Sequence, residues 1–363
     1  MCIRDIKLKL LKLERIRRRL QKIWSDWRNT SQKVYFYHRI SEYREMWKTV
    51  AEKKGAKFSI LSDDIWEIEL NGNRTRIFNN QLEFDNPVTL GLASMKPLMH
   101  RLLKEKGISV PEHIVFRLSE LDRAYEFLMR HPGGCVIKPA DGTHAGDGVT
   151  TYIMSKKEAR KAAILASLYC PDLLMEPQIP GECYRVLVLG GKMVHAVRRS
   201  GPRLCGDGIS GISDLIKAEN ERLKSQNKGI LKIDRDCLFT LSWQNLSLDS
   251  IPQRDQVFIA KSVNDPLGRN VELRTVYNET VTDLICDSVK KSAELAAKIL
   301  NSDFVGVDLI MTDPSVPLEE SGGVINEVNT TPALHHHYDI RVDKYPEPAV
   351  QALSLLLNRA HSV

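Results

Sequence analysis

Apolar residues recur every three or four positions through the first 28 residues, which is the period of an amphipathic helix. The stripe consists of Ile3, Ile6, Leu10, Leu13, Ile16, Leu20, Ile23, Trp24 and Trp27. Lysine and arginine cover most of the remaining surface of this helix. We therefore expect a basic amphipathic helix over residues 1–30 that docks on the body of the protein or on a second subunit. Attachment to a membrane surface or to nucleic acid ranks behind docking.

Residues 31–107 alternate strand-like and helix-like segments, so the pattern predicts a small N-terminal α/β domain. The predicted strands are Lys33–Tyr37, Ala56–Leu61, Ile65–Leu70 and Thr75–Phe78, with Asn71-Gly72-Asn73 as a hairpin turn between the last two. The predicted helices are Ser41–Lys54 and Met95–Lys106. Gly107 and Val110-Pro111 follow the second helix and mark a domain boundary.

Two further units of mixed character follow, over residues 108–180 and 181–363. The first has predicted strands at Ile114–Arg117, Cys135–Lys138, Val149–Met154 and Leu173–Glu176, and helices at Leu118–Arg130 and Lys156–Tyr169. The second has predicted strands at Tyr184–Leu189, Val194–Arg198, Val305–Met311 and Gly323–Val328, and helices at Asp283–Leu300 and Pro348–Arg359. Between about residues 220 and 265 the periodicity is weak and supports no prediction. The fold class is therefore α/β (α+β) with several domains.

Composition and charge narrow the class of protein. The chain has 363 residues, of which 42% are hydrophobic and 27% charged, as in folded proteins with more than one domain. Residues 1–28 hold ten Lys or Arg and three Asp or Glu, which is a net charge of +7. Because the whole chain has a net charge of +6, the remaining residues carry −1. No nucleic-acid partner is expected for that nearly neutral body. Seven scattered cysteines and the lack of a signal-peptide pattern favour a cytoplasmic location.

A glycine-rich connection joins two predicted strands between Lys138 and Val149. Gly142, Gly146 and Gly148 would let backbone N–H groups close over a polyphosphate, and Lys138 can reach it from the preceding strand. The spacing is neither that of a P-loop nor that of a dinucleotide-binding fingerprint. By itself this connection is equally compatible with an ordinary flexible turn.

Acidic and amide side chains interrupt two apolar strands near the C-terminal end of the chain. Asp308 lies in one strand, and Glu327 and Asn329 lie two positions apart in the next, so the latter two share a face. Buried carboxylates need a partner, and three oxygen-bearing side chains suit a hard divalent cation. A pair of salt-bridged acids is the alternative interpretation.

In these motifs and their order, the chain resembles the ATP-grasp superfamily over about residues 95–340. Lys138-Pro139 ahead of the glycine-rich connection resembles the phosphate-covering loop of that family, and Met175–Glu182 resembles its adenine and ribose linker. Within the superfamily the similarity is to the ATP-grasp half of cyanophycin synthetases and, more distantly, to glutathione synthetases. It rests on Asp141-Gly142-Thr143-His144, Tyr184–Leu189, Arg198-Arg199, Gly206-Asp207-Gly208, Asp214-Leu215-Ile216 and Asn329–Pro332.

The resemblance implies an ATP-grasp fold with an N-terminal domain, a central lid subdomain and a larger C-terminal catalytic domain. It implies ATP contacts at Lys96, Lys138, Gly142, Thr143, His144, Gly146, Gly148, Val149, Glu176, Ile179 and Glu182. It implies one or two Mg²⁺ ions, or Mn²⁺, at Asp308, Glu327 and Asn329, and catalytic roles for Arg185, Arg199, Arg274 and Asn278. The chain departs from the family pattern by one extra residue near Ala145 and by lacking paired glycines after Asn278.

The implied activity is an ADP-forming carboxylate–amine ligase acting on small substrates such as amino acids or peptides, through an acyl phosphate. A kinase that phosphorylates a hydroxyl group and a non-catalytic nucleotide-binding scaffold are the alternatives. His335, His336 and His337 lie on an extended segment where neighbours face opposite sides, which disfavours a single zinc site. We expect His337 near the acceptor site and the other two partly exposed. A homo-oligomer formed through the first helix remains open.

Overall fold

A computed structural model describes residues 3–28, 30–142, 148–199, 201–225, 231–261, 278–338 and 346–359. Side chains at positions 3–8, 22–39 and 235 are not described. The helices are α1 (Ile3–Arg28), α2 (Thr30–Lys53), α3 (Pro87–Ser94), α4 (Lys96–Glu105), α5 (Leu121–Arg130), α6 (Lys156–Ala166), α7 (Ile212–Ser225), α8 (Arg235–Trp243), α9 (Asp287–Leu300) and α10 (Glu347–Arg359). Short 3₁₀ turns cover Leu118–Glu120, Thr282–Leu284 and Leu334–His336.

The strands fall into three larger sheets and one two-stranded ribbon. They are β1 (Lys57–Ile60), β2 (Ile65–Leu70), β3 (Asn73–Phe78), β4 (Gln81–Leu82), β5 (Ile114–Phe116), β6 (Cys135–Pro139), β7 (Thr150–Ile153), β8 (Leu173–Pro177), β9 (Glu182–Leu189), β10 (Lys192–Arg199), β11 (Arg203–Cys205), β12 (Val257–Ile259), β13 (Asn278–Thr280), β14 (Phe304–Met311) and β15 (Val324–Thr330). The sheets have the orders β1-β2-β3-β4, β5-β8-β6-β7 and β13-β10-β9-β14-β15, and the ribbon is β11-β12.

The predicted strand at Lys33–Tyr37 is wrong, because helix α2 runs through it from Thr30 to Lys53. The aromatic and β-branched residues there favour a strand locally, but the segment continues the helix that buries Tyr43, Trp47 and Val50. Those three are spaced four and three positions apart and pack on the N-terminal sheet together with α10. In this segment tertiary packing therefore outweighed the local preference for a strand.

The N-terminal hairpin and the central sheet match the predicted pattern closely. β2 and β3 pair from Ile65↔Phe78 to Leu70↔Asn73, with Asn71 and Gly72 in left-handed conformations in the turn. In the central sheet, β8 pairs with both β5 and β6, and helices α5 and α6 cover it through a shared apolar core. The sheet ends in the edge strand β7, which follows the glycine-rich connection.

The C-terminal sheet is antiparallel throughout and positions most of the candidate site. Its apolar face packs against helices α4 and α9 through residues such as Val186, Val305 and Ala297, all fully buried. The opposite face carries charged side chains in register across β9, β14 and β15. That face also carries Leu187, Leu189 and Phe304, which are buried in the core shared with the N-terminal sheet, so the charged row occupies only part of it.

Residues 201–225 and 231–261, which include most of the described part of the region with weak periodicity, form a small unit with its own core. Helices α7 and α8 pack on the ribbon β11–β12 through Ile212, Ile216, Leu241 and Phe258. The helices are short and their apolar faces are shared within one small cluster, so the hydrophobic period is weak in the sequence. Helix α3, at Pro87–Ser94, was also missed, although Asn86 caps it by accepting from the N–H groups of residues 88 and 89.

Helix α1 docks on the central subdomain, but not through its apolar stripe. Leu11 is buried in the core formed with α5 and α6, Arg15 donates to the carbonyl of Ser167 at 2.8 Å, and Arg160 donates to Glu14 at 2.7 Å. In the described part of the chain, no helix combines the length and the apolar composition needed to cross a bilayer. None of the six described cysteines forms a disulfide, and Cys205 is exposed, so it is not a core residue.

Candidate active site

Three charged side chains form a row across neighbouring strands of the C-terminal sheet. Asp308 of β14 lies opposite Arg185 of β9 and also opposite Glu327 of β15 in the antiparallel registers. Directly opposed residues have their Cβ atoms about 5 Å apart, so their side chains interact on one face. The register of the sheet thus brings together residues that are more than 120 positions apart in the sequence.

Asp308 is held by a bidentate contact with Arg185. The guanidinium Nε donates to Oδ1 at 2.6 Å and Nη2 donates to Oδ2 at 2.5 Å, while Nη1 of Arg199 lies 3.7 Å from Oδ1. Burial opposes the ionisation of Asp308, but Arg185 outweighs it and holds the pKa of the carboxyl below its ordinary value. The same carboxylate raises the pKa of Arg185 against the effect of burial. Both groups are therefore charged at neutral pH.

The other two predicted metal ligands lie beside this pair. Asn329 donates from Nδ2 to Oδ2 of Asp308 at 3.1 Å. The amide orientation is assigned by this network, and a flip would direct the side-chain oxygen to the same place. Oε1 of Glu327 lies 3.5 Å from Nζ of Lys96, and the side chain of Glu327 is 29% exposed. Two carboxylates and one amide oxygen on adjacent strands are a donor set that suits a hard divalent cation.

Both acids are ion-paired, which is the feature that the alternative interpretation predicted. Simple salt bridges do not account for the excess of basic groups, however. Lys96, Arg185 and Arg199 lie beside these two acids, and Lys138 reaches Asn326 on the same strand and the third acid, Glu176. All four basic groups are buried or half-buried, and they outnumber the three acids by one. Basic side chains in excess of acids, shielded from solvent, form a site for a polyanion.

The two lysines reach the site from different elements. Lys138 leaves the central strand β6, and its Nζ lies 2.7 Å from Oε1 of Glu176 and 3.2 Å from Oδ1 of Asn326 on β15. Lys96 begins helix α4, and its backbone N–H donates to the carbonyl of Ala140. The central sheet and the C-terminal sheet therefore meet at these lysines. Oε2 of Glu176 is buried without a hydrogen-bond partner among the described residues, so it can accept from a ligand.

His100 lies beneath the lysines and was not predicted from the sequence. Its Nε2 donates to the carbonyl of Asn326 at 2.9 Å, since a carbonyl can only accept. Burial, together with the charge of Lys138, lowers the pKa of His100 to about 3. The imidazole is therefore neutral and acts as a fixed donor behind the strand that carries Glu327.

We expect stability to fall with acid partly because of His100. Its pKa is about 3 in the folded protein and near 6.5 when unfolded, so between these values only the unfolded chain binds the proton. This contribution is complete above pH 6.5 and is lost as pH falls towards 3, by about 1.4 kcal/mol per pH unit. In urea unfolding at pH 7 and pH 5, His100→Gln, which keeps an N–H donor, should lose about 1–2 kcal/mol less than the parent protein. An equal loss in both proteins would contradict this assignment.

A second cluster of charges lies on β9, β10, β11 and β13. Glu182 accepts from Arg198 at 3.2 Å and from Arg203 at 2.9 Å, and both arginines also contact Glu279, at 2.6 and 3.3 Å. Arg203 and Glu279 were not predicted, because their contacts depend on how β9, β10, β11 and β13 come together in the fold. In this structure Glu182 is therefore bound by arginine, while its proposed ribose contact remains a prediction.

The histidines of the 335–337 segment lie at the edge of the same face. His337 is buried, with its Nδ1 3.1 Å from Nδ1 of His195, whereas His335 and His336 are partly exposed as expected. Burial, together with His195 and Arg185, lowers the pKa of His337 well below its ordinary value. Asn278 donates from Nδ2 to the carbonyl of His336 at 2.8 Å, so it positions this segment.

Some of the predicted site residues cannot be placed. Thr143, His144, Gly146 and Arg274 lie outside the described residues. The two ends of the glycine-rich connection are described, and Gly142 and Gly148 both have positive φ, of 70° and 73°. A Cβ at Gly148 would lie 2.9 Å from Pro139, so glycine is needed there for packing as well as for conformation. Val149 and Ile179 are both half-buried.

The fold and the site define a class of protein. A central four-stranded antiparallel sheet faces a larger antiparallel sheet, lysines from α4 and β6 meet at the junction, and acids on the last two strands face them. These features and the sequence relationships place the chain in the ATP-grasp superfamily, the group that contains carboxylate–amine ligases.

The comparisons support this placement. The chain is 30% identical over 297 residues to the cyanophycin synthetase of Trichormus variabilis, which covers 79% of this chain and 32% of that protein. It is 28% identical over 264 residues to the glutathione biosynthesis bifunctional protein of Listeria innocua, with 70% and 32% covered. The chain thus spans about a third of the length of these relatives. No family model matches it.

A solved structure shows the same fold. The bifunctional glutathione synthetase of Pasteurella multocida superposes with a TM-score of 0.52 at 20% sequence identity, covering 86% of this chain and 43% of that one. At this identity the similarity concerns the fold alone. The predicted ATP-grasp architecture is therefore confirmed.

Proposed function

We propose that this protein is an ATP- and Mg²⁺-dependent ligase that activates a carboxylate as an acyl phosphate and joins it to an amine. The observation that carries the proposal is the convergence of Lys96 and Lys138 on the strand that bears Glu327, next to Arg185 and Asp308. Four shielded basic groups beside a set of cation ligands can bind the phosphates of a nucleoside triphosphate together with its metal ion.

Each side chain has a role in this proposal. The lysines bind the phosphates of ATP, and residues 142–149, including Thr143, His144 and Gly146, cover them. Glu176, Ile179 and Glu182 contact adenine and ribose; the buried and unpartnered Oε2 of Glu176 supports a contact with a ligand N–H group. Asp308, Glu327 and Asn329 hold one or two Mg²⁺ ions, which neutralise phosphate charge when bound.

The chemistry needs no nucleophilic side chain. A carboxylate oxygen of the substrate attacks the γ-phosphorus and the bond to the β-phosphate oxygen breaks, so ADP leaves. An amine nitrogen then attacks the acyl carbon, the bond to phosphate breaks, and the amine proton is lost as the amide forms. In this proposal Arg185 and Arg199, which both approach Asp308, stabilise the charge of the transferred group, and Arg274 and Asn278 have supporting roles. The substrates are proposed to be amino acids or peptides.

One assay separates this proposal from its alternatives. The protein is incubated with ATP, Mg²⁺ and a panel of amino acids and short peptides, while ADP is measured and product masses are recorded. We expect ADP release that requires both a carboxylate and an amine, with a product lighter by one water than their sum. A phosphorylated product without an amine would show a kinase. No ADP with any member of the panel would favour a nucleotide-binding scaffold.

A further inference from the structure

Helix α1 has two faces with different surroundings. One face docks on the central subdomain through Leu11, Glu14 and Arg15. The apolar stripe points the other way, because residues 13, 16 and 20 lie between 140° and 200° from residue 11 at about 100° per residue. The helix is therefore held to the protein by one side while its apolar side faces outwards.

The apolar side is exposed to an unusual degree. Leu10, Leu13, Ile16 and Leu20 are 55%, 62%, 57% and 63% exposed. Four large aliphatic side chains along one helix face form a contiguous patch, unlike the scattered exposed apolar residues of ordinary surfaces. The helix docks on the body of the protein through the face opposite Leu10, Leu13, Ile16 and Leu20, so these four described residues of the stripe are available to bind something else.

Charge distinguishes between the partners that an apolar stripe could take. Lys9, Lys12, Arg17 and Arg19 are exposed on or beside the stripe, and residues 1–28 carry +7 while the rest of the chain carries −1. A second copy would bring one +7 helix against another, which is repulsive. Nucleic acid would pair with the basic residues but leave the aliphatic stripe in water.

An anionic lipid surface satisfies both features. We propose that α1 lies in the interfacial plane of an anionic membrane, with Leu10, Leu13, Ile16 and Leu20 below the headgroups and the basic residues among them. A helix with an aliphatic face bordered by lysine and arginine binds in this way, by apolar burial and by attraction to acidic lipids. Because the opposite face docks on α6, the central subdomain would lie nearest to the lipid.

The test uses the full chain and two kinds of vesicle. Sedimentation is measured with vesicles of phosphatidylcholine alone and of phosphatidylcholine mixed with phosphatidylglycerol, at low and high salt. We expect binding to the anionic vesicles only, weakened by salt. Replacing Leu13, Ile16 and Leu20 together by Gln should abolish it, and Arg17→Glu with Arg19→Glu should reduce it by about fivefold or more per residue.

A matched control removes exposed apolar residues elsewhere. Val88→Gln with Ile209→Gln changes side chains that are 80% and 74% exposed, and it should leave vesicle binding unchanged. Circular dichroism checks that all variants are folded. Equal binding to neutral and anionic vesicles would overturn the proposal. So would a dimer in sedimentation velocity that the triple variant disrupts while no vesicle binding occurs, since the partner would then be a second copy.

Discussion

Replacing Glu327 by Gln is expected to reduce ADP formation by at least about 100-fold, because it removes one negative charge from the donor set that would hold Mg²⁺ against the phosphates. The change preserves size and leaves a polar group beside Lys96. The ion pair that it weakens is 3.5 Å long and partly exposed, so stability should change by less than about 1 kcal/mol. Thermal unfolding of the purified variant measures that second quantity.

The control for this variant is Glu319→Gln. Glu319 is exposed in the turn that precedes β15. Replacing it by Gln therefore removes the same charge at a position away from the site. It should retain full turnover. If Glu327→Gln also turns over at the parental rate, the assignment of Glu327 as a metal ligand is wrong. A loss of folded protein in Glu327→Gln would instead mean that the carboxylate is structural.

Replacing Arg185 by Met is expected to lower both stability and activity. The guanidinium makes two short contacts with Asp308, whose carboxylate is shielded from solvent. Breaking a buried pair by removing one partner costs about 3–5 kcal/mol, because the remaining charge is uncompensated. Arg199, 3.7 Å from the Asp308 carboxylate, and Asn329, 3.1 Å from it, still stabilise its charge. We therefore expect the free energy of unfolding to fall by about 3 kcal/mol. Urea unfolding at neutral pH measures it.

The pairing is tested by a double-mutant cycle. Adding Asp308→Asn to Arg185→Met removes the stranded charge, so the double variant should unfold at a higher urea concentration than Arg185→Met alone. It should remain inactive, because Arg185 is proposed to stabilise the transferred phosphoryl group and Asp308 to hold Mg²⁺. Arg101→Met, which removes an exposed arginine paired with Glu105 at 3.9 Å, should cost less than about 1 kcal/mol. Additive effects in the cycle would refute the coupling.

Much of the secondary structure could be predicted from the period of the apolar residues. The hairpin β2–β3, helix α4, the strands of the central sheet and four of the five strands of the C-terminal sheet lie within a few residues of their predicted positions, whereas β13 was missed. Prediction failed where local propensity and tertiary packing disagree, as at Lys33–Tyr37. It also failed where a unit is too small to give a clear period, as in residues 212–243.

The candidate site divides in the same way. Residue types that are costly to bury mark their own positions, so Lys138, Asp308 and Glu327 stood out within apolar strands. The residues that contact the site's charged groups could not be recognised in this way. Arg203 contacts Glu182, and His195 contacts His337, only because the tertiary fold brings together elements that are not adjacent in the sequence. The residue pattern within one segment does not predict contacts with a separate segment.

The sequence by itself determined the alternation of strands and helices, the basic amphipathic character of the first helix and the acids on two late strands. These follow from periodicity and from the cost of burying charge, which are local properties. Only the tertiary structure decided that Asp308 lies opposite both Arg185 and Glu327, because register between strands depends on the packing of the whole sheet. It also decided that the described part of the α1 stripe faces outwards, since Leu11, the ion pair of Glu14 and the hydrogen bond of Arg15 to a backbone carbonyl dock the opposite face.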